Sequence, residues 1–306
     1  MVRLCDMHPS VTAAYAAAVV GIGMFIQNPV LQFLSLAGAL SFIIASGSAS
    51  RRHILPVAGI AAAVAFLNPL ISHRGSTVLL YVNGNPYTLE ALAWGANSGI
   101  MIAAVLFWTF SFSKIMTVEK VICLAGGLSP RIAAVISSAV RHIPLFGRYY
   151  SDISSLRKAG VASDSDLSPA GRIRDSAAAF SATVGLALET GIDAADSMDA
   201  RGWGEPGRRS FSRFSFTRRD TAVLIFIAAA AGIEIAAGAS GFLGFDFYPS
   251  ICFSGGGPAA AAAYALFALL SFFPAANEAA WRIFWKKRKT PRETDVERRL
   301  REQWKE

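Results

Sequence analysis

The stretch TAVLIFIAAAAGIEIAAGA, residues 221–239, decides the fold class of this chain. It holds a single ionisable side chain, Glu234, in an otherwise apolar run. Because a helix needs about 20 predominantly apolar residues to cross a bilayer, the stretch predicts a transmembrane helix. The whole chain agrees, since 53% of its residues are hydrophobic and only 16% are charged, against roughly 25% charged in ordinary soluble domains.

Five further apolar runs have a composition that suits a membrane span. The Asn28-Pro29 step separates the first two, because proline cannot continue a helix interior. Glycine and alanine are abundant within the runs, as expected for closely packed membrane helices. The sequence therefore predicts an all-α polytopic membrane protein with about six transmembrane helices, the other five at 10–27, 30–47, 54–72, 93–113 and 258–276.

Lysine and arginine are distributed unevenly among the connecting segments. Arg51 and Arg52 lie between the second and third spans, whereas the 73–92 loop holds only Arg74 and the 240–257 loop holds neither residue type. Because cytoplasmic loops are enriched in Lys and Arg, both termini are predicted to be cytoplasmic. The formal net charge of +8 is assigned to this asymmetry, and no nucleic-acid partner is predicted.

Residues 114–220 do not follow the pattern of the spans. The segment is basic, and its most apolar piece, 121–140, is interrupted at Gly126-Gly127 and Ser129-Pro130. Two crossings would need about 40 apolar residues, which the segment lacks. It predicts cytoplasmic or membrane-surface helices. The predicted domains are the transmembrane helices 1–4 (1–113), this module (114–220), the C-terminal transmembrane helices (221–281) and a basic cytoplasmic tail (282–306).

Two helices are predicted within this module. Over 172–199, apolar residues recur at steps of three and four, which is typical of one helix face. Pro169 is placed to begin this helix and Gly202 to end it. Its polar side is basic early and acidic late, against the preference of the helix dipole. The charges therefore serve either a partner or a solvated face. A second helical segment, 149–160, ends at Gly160.

Sequence motifs for catalysis or for metal binding are absent. The chain has no GxxxxGK[ST] phosphate loop and no HExxH pair, and its four histidines are far apart. No catalytic, cofactor or metal site is predicted. Glu234 is the one acid inside a span, and its place near the span end predicts a carboxylate that snorkels to the membrane surface.

Several stretches, taken in chain order, resemble the transmembrane T component of energy-coupling factor (ECF) transporters. The resemblance covers about residues 8 to 240, and its last stretch is the most specific. The stretches are HP (8–9), FLNPL (66–70), GNPYTLEAL (84–92), SKIMTVEKV (113–121), LSPRIAAVISSAVRHIPLF (128–146) and DSMDARGWGEPGRRSF (196–211).

The resemblance implies a division of labour in vitamin or metal uptake across the bacterial plasma membrane. Two cytoplasmic ATPase subunits would bind and hydrolyse ATP, and a membrane-embedded S component would bind the substrate. This chain would be a multi-pass scaffold within the lipid bilayer, with neither enzyme activity nor a cofactor of its own. Two coupling helices would each end in a short arginine-containing motif that docks on one ATPase.

By this resemblance, Arg201 is the docking cation of the second motif, flanked by Ala200 and Gly202. The first motif departs from the family pattern, because Lys158-Ala159-Gly160 places Ala159 where the arginine is expected. Either Arg157 or Lys158 would then substitute from the preceding turn. Two other functions stay open, a secondary carrier that needs no ATPase and a membrane enzyme with a long cytoplasmic loop.

Overall fold

The structure is a computed structural model that describes residues 6–47, 51–72, 74–82, 85–160, 169–203, 214–253 and 255–288. Within these ranges it contains nine helices and one two-stranded hairpin. The chain divides into two compact units, the first formed by Met1–Thr117 with Ser215–Glu306 and the second by Val118–Phe214. The elements are α1 (Pro9–Phe25), α2 (Pro29–Ala45), α3 (Arg51–Ile71), β1 (Val78–Val82), β2 (Asn85–Thr88), α4 (Leu89–Ile115), α5 (Val118–Leu128), α6 (Pro130–Gly160), α7 (Pro169–Ala200), α8 (Arg218–Ala239) and α9 (Pro258–Arg288).

Four helices are long and apolar enough to cross a membrane, as predicted for a helical membrane protein. They are α3, α4, α8 and α9. The apolar helices α1 and α2 have 17 residues each, at the lower limit of about 17 residues for a span. The count of six spans therefore stays a prediction. Of the predicted tail, residues 282–288 belong to α9 and the remainder lies outside the described residues.

The break between α1 and α2 lies where the sequence predicts it. Asn28 caps α2, because its side-chain oxygen accepts a hydrogen bond of 3.0 Å from the Val30 amide. Pro29 follows as the first helical residue, where its missing amide hydrogen costs no helical bond. At the start of α1, His8 performs the same capping role toward the Ser10 amide, at 3.3 Å.

Two buried aromatic side chains connect four helices of the first unit. The Tyr15 hydroxyl of α1 donates to the Leu270 carbonyl of α9 at 2.7 Å. The Trp108 indole of α4 donates to the Ser35 hydroxyl of α2 at 3.1 Å. The Tyr15 and Trp108 rings also meet edge-to-face, with centroids 6.1 Å apart. Both polar groups are thus satisfied away from water, as burial requires.

Helices α3 and α4 approach closely because two glycines of α4 lack side chains. A Cβ atom at Gly99 would lie 2.5 Å from the Ala61 carbonyl oxygen, and one at Gly95 would lie 2.7 Å from the Asn68 Cβ. The Asn68 amide donates to the Ala91 carbonyl at 2.7 Å across the same contact. Gly95 and Gly99 form a GxxxG pair, the spacing that lets membrane helices pack backbone to backbone.

We expect Gly99→Ala to weaken this contact by about 1–3 kcal/mol, because the added methyl group forces the two backbones apart. The matched control is Gly232→Ala in α8, where an added Cβ meets nothing within 4 Å. That variant should be neutral or slightly more stable through helix propensity. Thermal unfolding of the detergent-purified protein measures both effects. Equal midpoints for the two variants would contradict the close approach.

The 73–92 segment is not a simple loop, and this corrects the all-helical prediction. Strands β1 and β2 pair antiparallel, with Leu80 opposite Tyr87 and Val82 opposite Asn85. The VLLYV run of β1 is too short for a span and rich in residues that favour strands. Beneath the hairpin, the Glu90 carboxylate accepts hydrogen bonds from the Thr77 hydroxyl at 2.6 Å and the Thr77 amide at 3.1 Å.

Glu234 does not snorkel to the surface, so that prediction is wrong. Its side chain is fully buried, with 0% exposure. The reason is its place on α8, since Glu234 follows Ile227 and Ala230 at helical spacing on the buried face. Neither carboxylate oxygen has a hydrogen-bond partner among the described residues.

The described part of the second unit contains three helices, where the sequence predicts two, and the predicted 149–160 helix is the last part of the longer α6. The predicted interruption at Ser129-Pro130 is confirmed, because α5 ends at Leu128 and α6 begins at Pro130. The predicted interruption at Gly126-Gly127 is wrong, because α5 continues through both glycines. Helix α6 has 31 residues and α7 has 32. They pack antiparallel, since the end of α6 contacts the beginning of α7 through Arg157 and Asp175. The predicted start of α7 at Pro169 is confirmed.

Candidate functional site

The C-terminal end of α7 is closed by a glycine turn that presents Arg201. Gly202 has a φ of 73°, a left-handed conformation that glycine adopts without steric cost. The Trp203 amide donates to the Met198 carbonyl at 3.1 Å, and the Gly202 amide donates to the Asp199 carbonyl at 2.9 Å. These two bonds form a Schellman motif, which satisfies the last carbonyls of the helix. The predicted end of this helix at Gly202 is therefore confirmed.

Arg201 occupies the capping position of this motif, at the tip of α7. The residue is exposed, as is its neighbour Ala200, and Gly202 carries no side chain. On the other side, Met198 and Trp203 line a common apolar groove, the hydrophobic contact that often accompanies a Schellman motif. The helix end thus presents a guanidinium between two small residues on a fixed backbone. The rest of the DSMDARGWGEPGRRSF stretch, residues 204–211, lies outside the described residues.

We expect Gly202→Ala to destabilise this end of α7 by about 1–2 kcal/mol, the cost of a left-handed conformation for a residue with a Cβ. Hydrogen–deuterium exchange of the Arg201, Gly202 and Trp203 amides should become faster. Gly185→Ala is the matched control, because Gly185 lies inside α7 with nothing within 4 Å of an added Cβ. If both variants leave exchange at the helix end unchanged, the glycine closure is not what holds it.

The end of α6 distinguishes between the two basic residues of the first predicted motif. The Arg157 guanidinium contacts Asp175 of α7 through Nε at 2.8 Å and a terminal nitrogen at 2.6 Å. The two side chains are 39% and 26% exposed. Lys158 and Ala159 are exposed, and Gly160 is the last residue of the helix. Arg157 therefore joins α6 to α7 through an ion pair, while Lys158 is exposed on the surface of the unit.

Sequence analysis missed Asp175 because no spacing rule links it to Arg157. The two residues lie in different helices, on either side of residues 161–168, so only the tertiary fold brings them together. Trp203, in contrast, carried a usable signal. An apolar residue directly after a helix-ending glycine is typical of the Schellman motif.

The structure keeps the two predicted docking motifs apart. The first lies beside Asp175 and the second ends α7 at Arg201. At a rise of 1.5 Å per residue, the helix between these two positions is about 39 Å long. The two motifs do not form a single site and would meet partners at separate points.

An open groove lies between the first half of α6 and the second half of α7. Its volume is about 530 Å³. His142 is held at its wall, with Nδ1 2.6 Å from the Ser138 carbonyl oxygen. Small residues of α7 form part of the lining, and Phe146 and Trp203 contribute aromatic rings. The lining residues are Arg131, Ala134, Val135, Ser138, Ala139, His142, Phe146, Ala187, Gly191, Met198 and Trp203.

The apolar face predicted on α7 is exposed within its unit. Helix α7 packs on α6 through smaller residues instead, of which Ala179 and Thr183 are buried. The exposed apolar side chains of α7 are Ile173, Phe180, Val184, Leu188 and Ile192. Large apolar side chains on one helix face, open along several turns, indicate a surface that a partner or lipid covers.

The polar side of α7 carries a row of exposed acids, Glu189, Asp193, Asp196 and Asp199. Among the described residues, no group of three His, Cys, Asp or Glu is arranged to hold a metal ion. These charges could recognise cationic groups of a partner.

No match to this chain is found among models of known protein families or among curated proteins.

Proposed function

We propose that this chain is the transmembrane T component of an ECF-type ABC importer in the bacterial plasma membrane. It couples ATP hydrolysis by two cytoplasmic ATPase subunits to movement of a membrane-embedded S component during vitamin or metal uptake. Both termini are cytoplasmic. One observation carries the proposal, the exposed Arg201 on the glycine-closed end of a 32-residue helix.

The chemistry of Arg201 suits docking into a groove of acceptor groups. A guanidinium is planar, permanently charged and able to satisfy several acceptors at once. Ala200 and Gly202 add almost no bulk on either side, so the tip of the helix can enter a narrow groove. Truncating such an anchor costs about 2 kcal/mol or more of binding free energy.

The lengths of α6 and α7 suit the transmission of movement. Helices of 31 and 32 residues are far longer than the average of about 11–12 residues in globular proteins. The Arg157–Asp175 pair joins them at one end. A force applied at Arg201 would therefore act along a continuous helix rather than dissipate in a loop.

The exposed apolar face of α7 suits the S component. That partner is itself a membrane protein, so its contact surface can be apolar. Leu188 and Ile192 lie one turn apart on this face, and both are more than half exposed. An apolar contact would leave the acids on another side of α7 available for the ATPase.

The first experiment is co-purification with the ATPases encoded in the same genomic neighbourhood. We expect the wild-type chain to capture both ATPases and Arg201→Glu to bind at least about 30-fold more weakly, which corresponds to about 2 kcal/mol. Arg148→Glu is the matched control, because it reverses an exposed arginine in the middle of α6, nine residues before Arg157. Capture that survives Arg201→Glu, or that fails with the wild type, would overturn the proposal.

The same assay identifies the cation of the first motif. Lys158→Glu should weaken capture of one ATPase while leaving the helix pair intact. Arg157→Glu should loosen the helix pair itself, and Asp175→Arg in the same chain should restore it by reversing the ion pair. The alternative outcome is that Lys158→Glu still captures this ATPase, while the double variant Arg157→Glu with Asp175→Arg does not. That result would assign the docking role to Arg157.

The apolar face is tested with Leu188→Glu combined with Ile192→Glu. Because a buried charge without a partner is strongly unfavourable, the S component should be lost from the purified complex while the ATPases remain. Glu189→Gln combined with Asp193→Asn is the control on the acidic side of the same two turns. Retention of the S component by the first variant would exclude this face as its contact.

A secondary carrier is the second candidate, and Glu234 is the observation that favours it. A fully buried carboxyl group inside an apolar helix, without a hydrogen-bond partner among the described residues, is typical of transport pathways. This function predicts substrate uptake into vesicles that contain the purified chain alone, and its loss in Glu234→Gln. Uptake that strictly requires ATP and the ATPases supports the T component instead.

A further inference from the structure

The hairpin formed by β1 and β2 exposes large apolar side chains on both of its faces. Leu80 is 66% exposed and Tyr81 is 72% exposed. Because consecutive strand residues point to opposite faces, these two side chains lie on opposite sides of the hairpin. Val78 and Leu79 are exposed as well. A protein partner docking on one face would leave the other face in water, so the occupant must surround the hairpin.

The apolar surface of the hairpin continues onto a helix that is able to cross the membrane. The Tyr87 hydroxyl donates to the Phe66 carbonyl of α3 at 3.4 Å. The last turns of α3 expose Phe66, Leu67, Leu70 and Ile71, on a helix whose apolar window is only 6% buried within the chain. The hairpin therefore extends the lipid-facing end of α3.

A second segment adds to this surface from the α8–α9 connection. The Ser76 amide donates to the Pro249 carbonyl at 3.2 Å, which joins the two segments. The second segment exposes Phe242, Ile251 and Phe253. Residues 72–88 contain one Lys, Arg, Asp or Glu, and residues 240–253 also contain one. So few charges around so many exposed apolar groups indicate contact with lipid rather than with bulk water.

The backbone of the hairpin limits how deep it can lie. Within the described residues β1 pairs only with β2, so both outer edges present amide and carbonyl groups without strand partners. The hydrocarbon core offers no hydrogen bonds to such groups. The headgroup region offers water and polar acceptors together with apolar contact, and tyrosine is enriched there.

We infer that the β1–β2 hairpin is an interfacial membrane anchor, inserted among the lipid headgroups at the end of α3. Its occupant is the bilayer itself, and the anchor does not depend on which transport partners the chain binds. Leu80 contacts the upper acyl chains from one face of the hairpin, and the Tyr81 ring lies at headgroup depth on the opposite face.

Electron paramagnetic resonance measures this depth directly. The full chain, with Cys5, Cys123 and Cys252 changed to serine, carries one nitroxide at Leu80→Cys or, on the opposite face, at Tyr81→Cys. It is reconstituted alone in nanodiscs of phosphatidylethanolamine and phosphatidylglycerol. The ratio of collision with oxygen to collision with Ni-EDDA reports depth. Ile233→Cys, exposed within the α8 span, is the lipid reference, and Asp199→Cys, exposed at the end of α7, is the aqueous reference.

We expect both hairpin labels to give ratios between the two references, since lipid surrounds both faces. A ratio equal to that of Asp199→Cys at either position would overturn the anchor. A ratio equal to that of Ile233→Cys would contradict headgroup depth. An aqueous ratio that turns apolar only when other membrane proteins are added would assign the hairpin to a protein partner and also overturn the inference.

Discussion

The hydrogen bonds of Tyr15 and Trp108 hold the first unit together. Apolar helices in lipid gain little from burying apolar surface against one another, because the lipid tails are equally apolar. Association then depends on shape and on polar bonds between helices. Tyr15 reaches α9 through Leu270, and Trp108 reaches α2 through Ser35. With their rings in mutual contact, these residues fix four helices at one level.

The two units differ in how much of a core they possess. In the first unit, buried aromatic and branched side chains extend over α1, α2, α4 and α9. In the described part of the second unit, the buried hydrophobic residues are Ala125 and Ala179. Two alanines cannot hide the long apolar stripes of α6 and α7. The described part of the second unit therefore leaves large apolar side chains of both helices exposed.

The sequence predicts best where the cause of a structure is local. The apolar run at 221–239, the Asn28-Pro29 break and the glycine end of α7 each depend on a few adjacent residues, and the structure agrees with them. The ion pair between Arg157 and Asp175 depends on which helices meet, and no pattern in the chain contains that information.

Two further differences between prediction and structure, at Glu234 and at the β1–β2 hairpin, have separate physical causes. The snorkelling prediction for Glu234 depends on its short distance from the end of α8. Its burial depends instead on which face of α8 packs inward, and Glu234 lies on that face. The β1–β2 hairpin is not predicted, because the five apolar residues of β1 are too few to distinguish a strand from a loop by hydropathy. The two predicted docking motifs lie at the ends of α6 and α7, because glycine and basic residues at helix ends are a local feature of the sequence, and their docking role stays a prediction.

The antiparallel arrangement of α6 and α7 has a mechanical consequence. The two motifs lie about 39 Å apart along α7, at 1.5 Å per residue. If both are attached to other proteins, the helix between them acts as a lever of that length. If one attachment point shifts relative to the other by one helical turn, about 5.4 Å, the lever rotates by roughly 8°. A small closing motion of two bound partners would thus change the angle of α7. A third protein bound on the exposed apolar face of α7 would tilt with it.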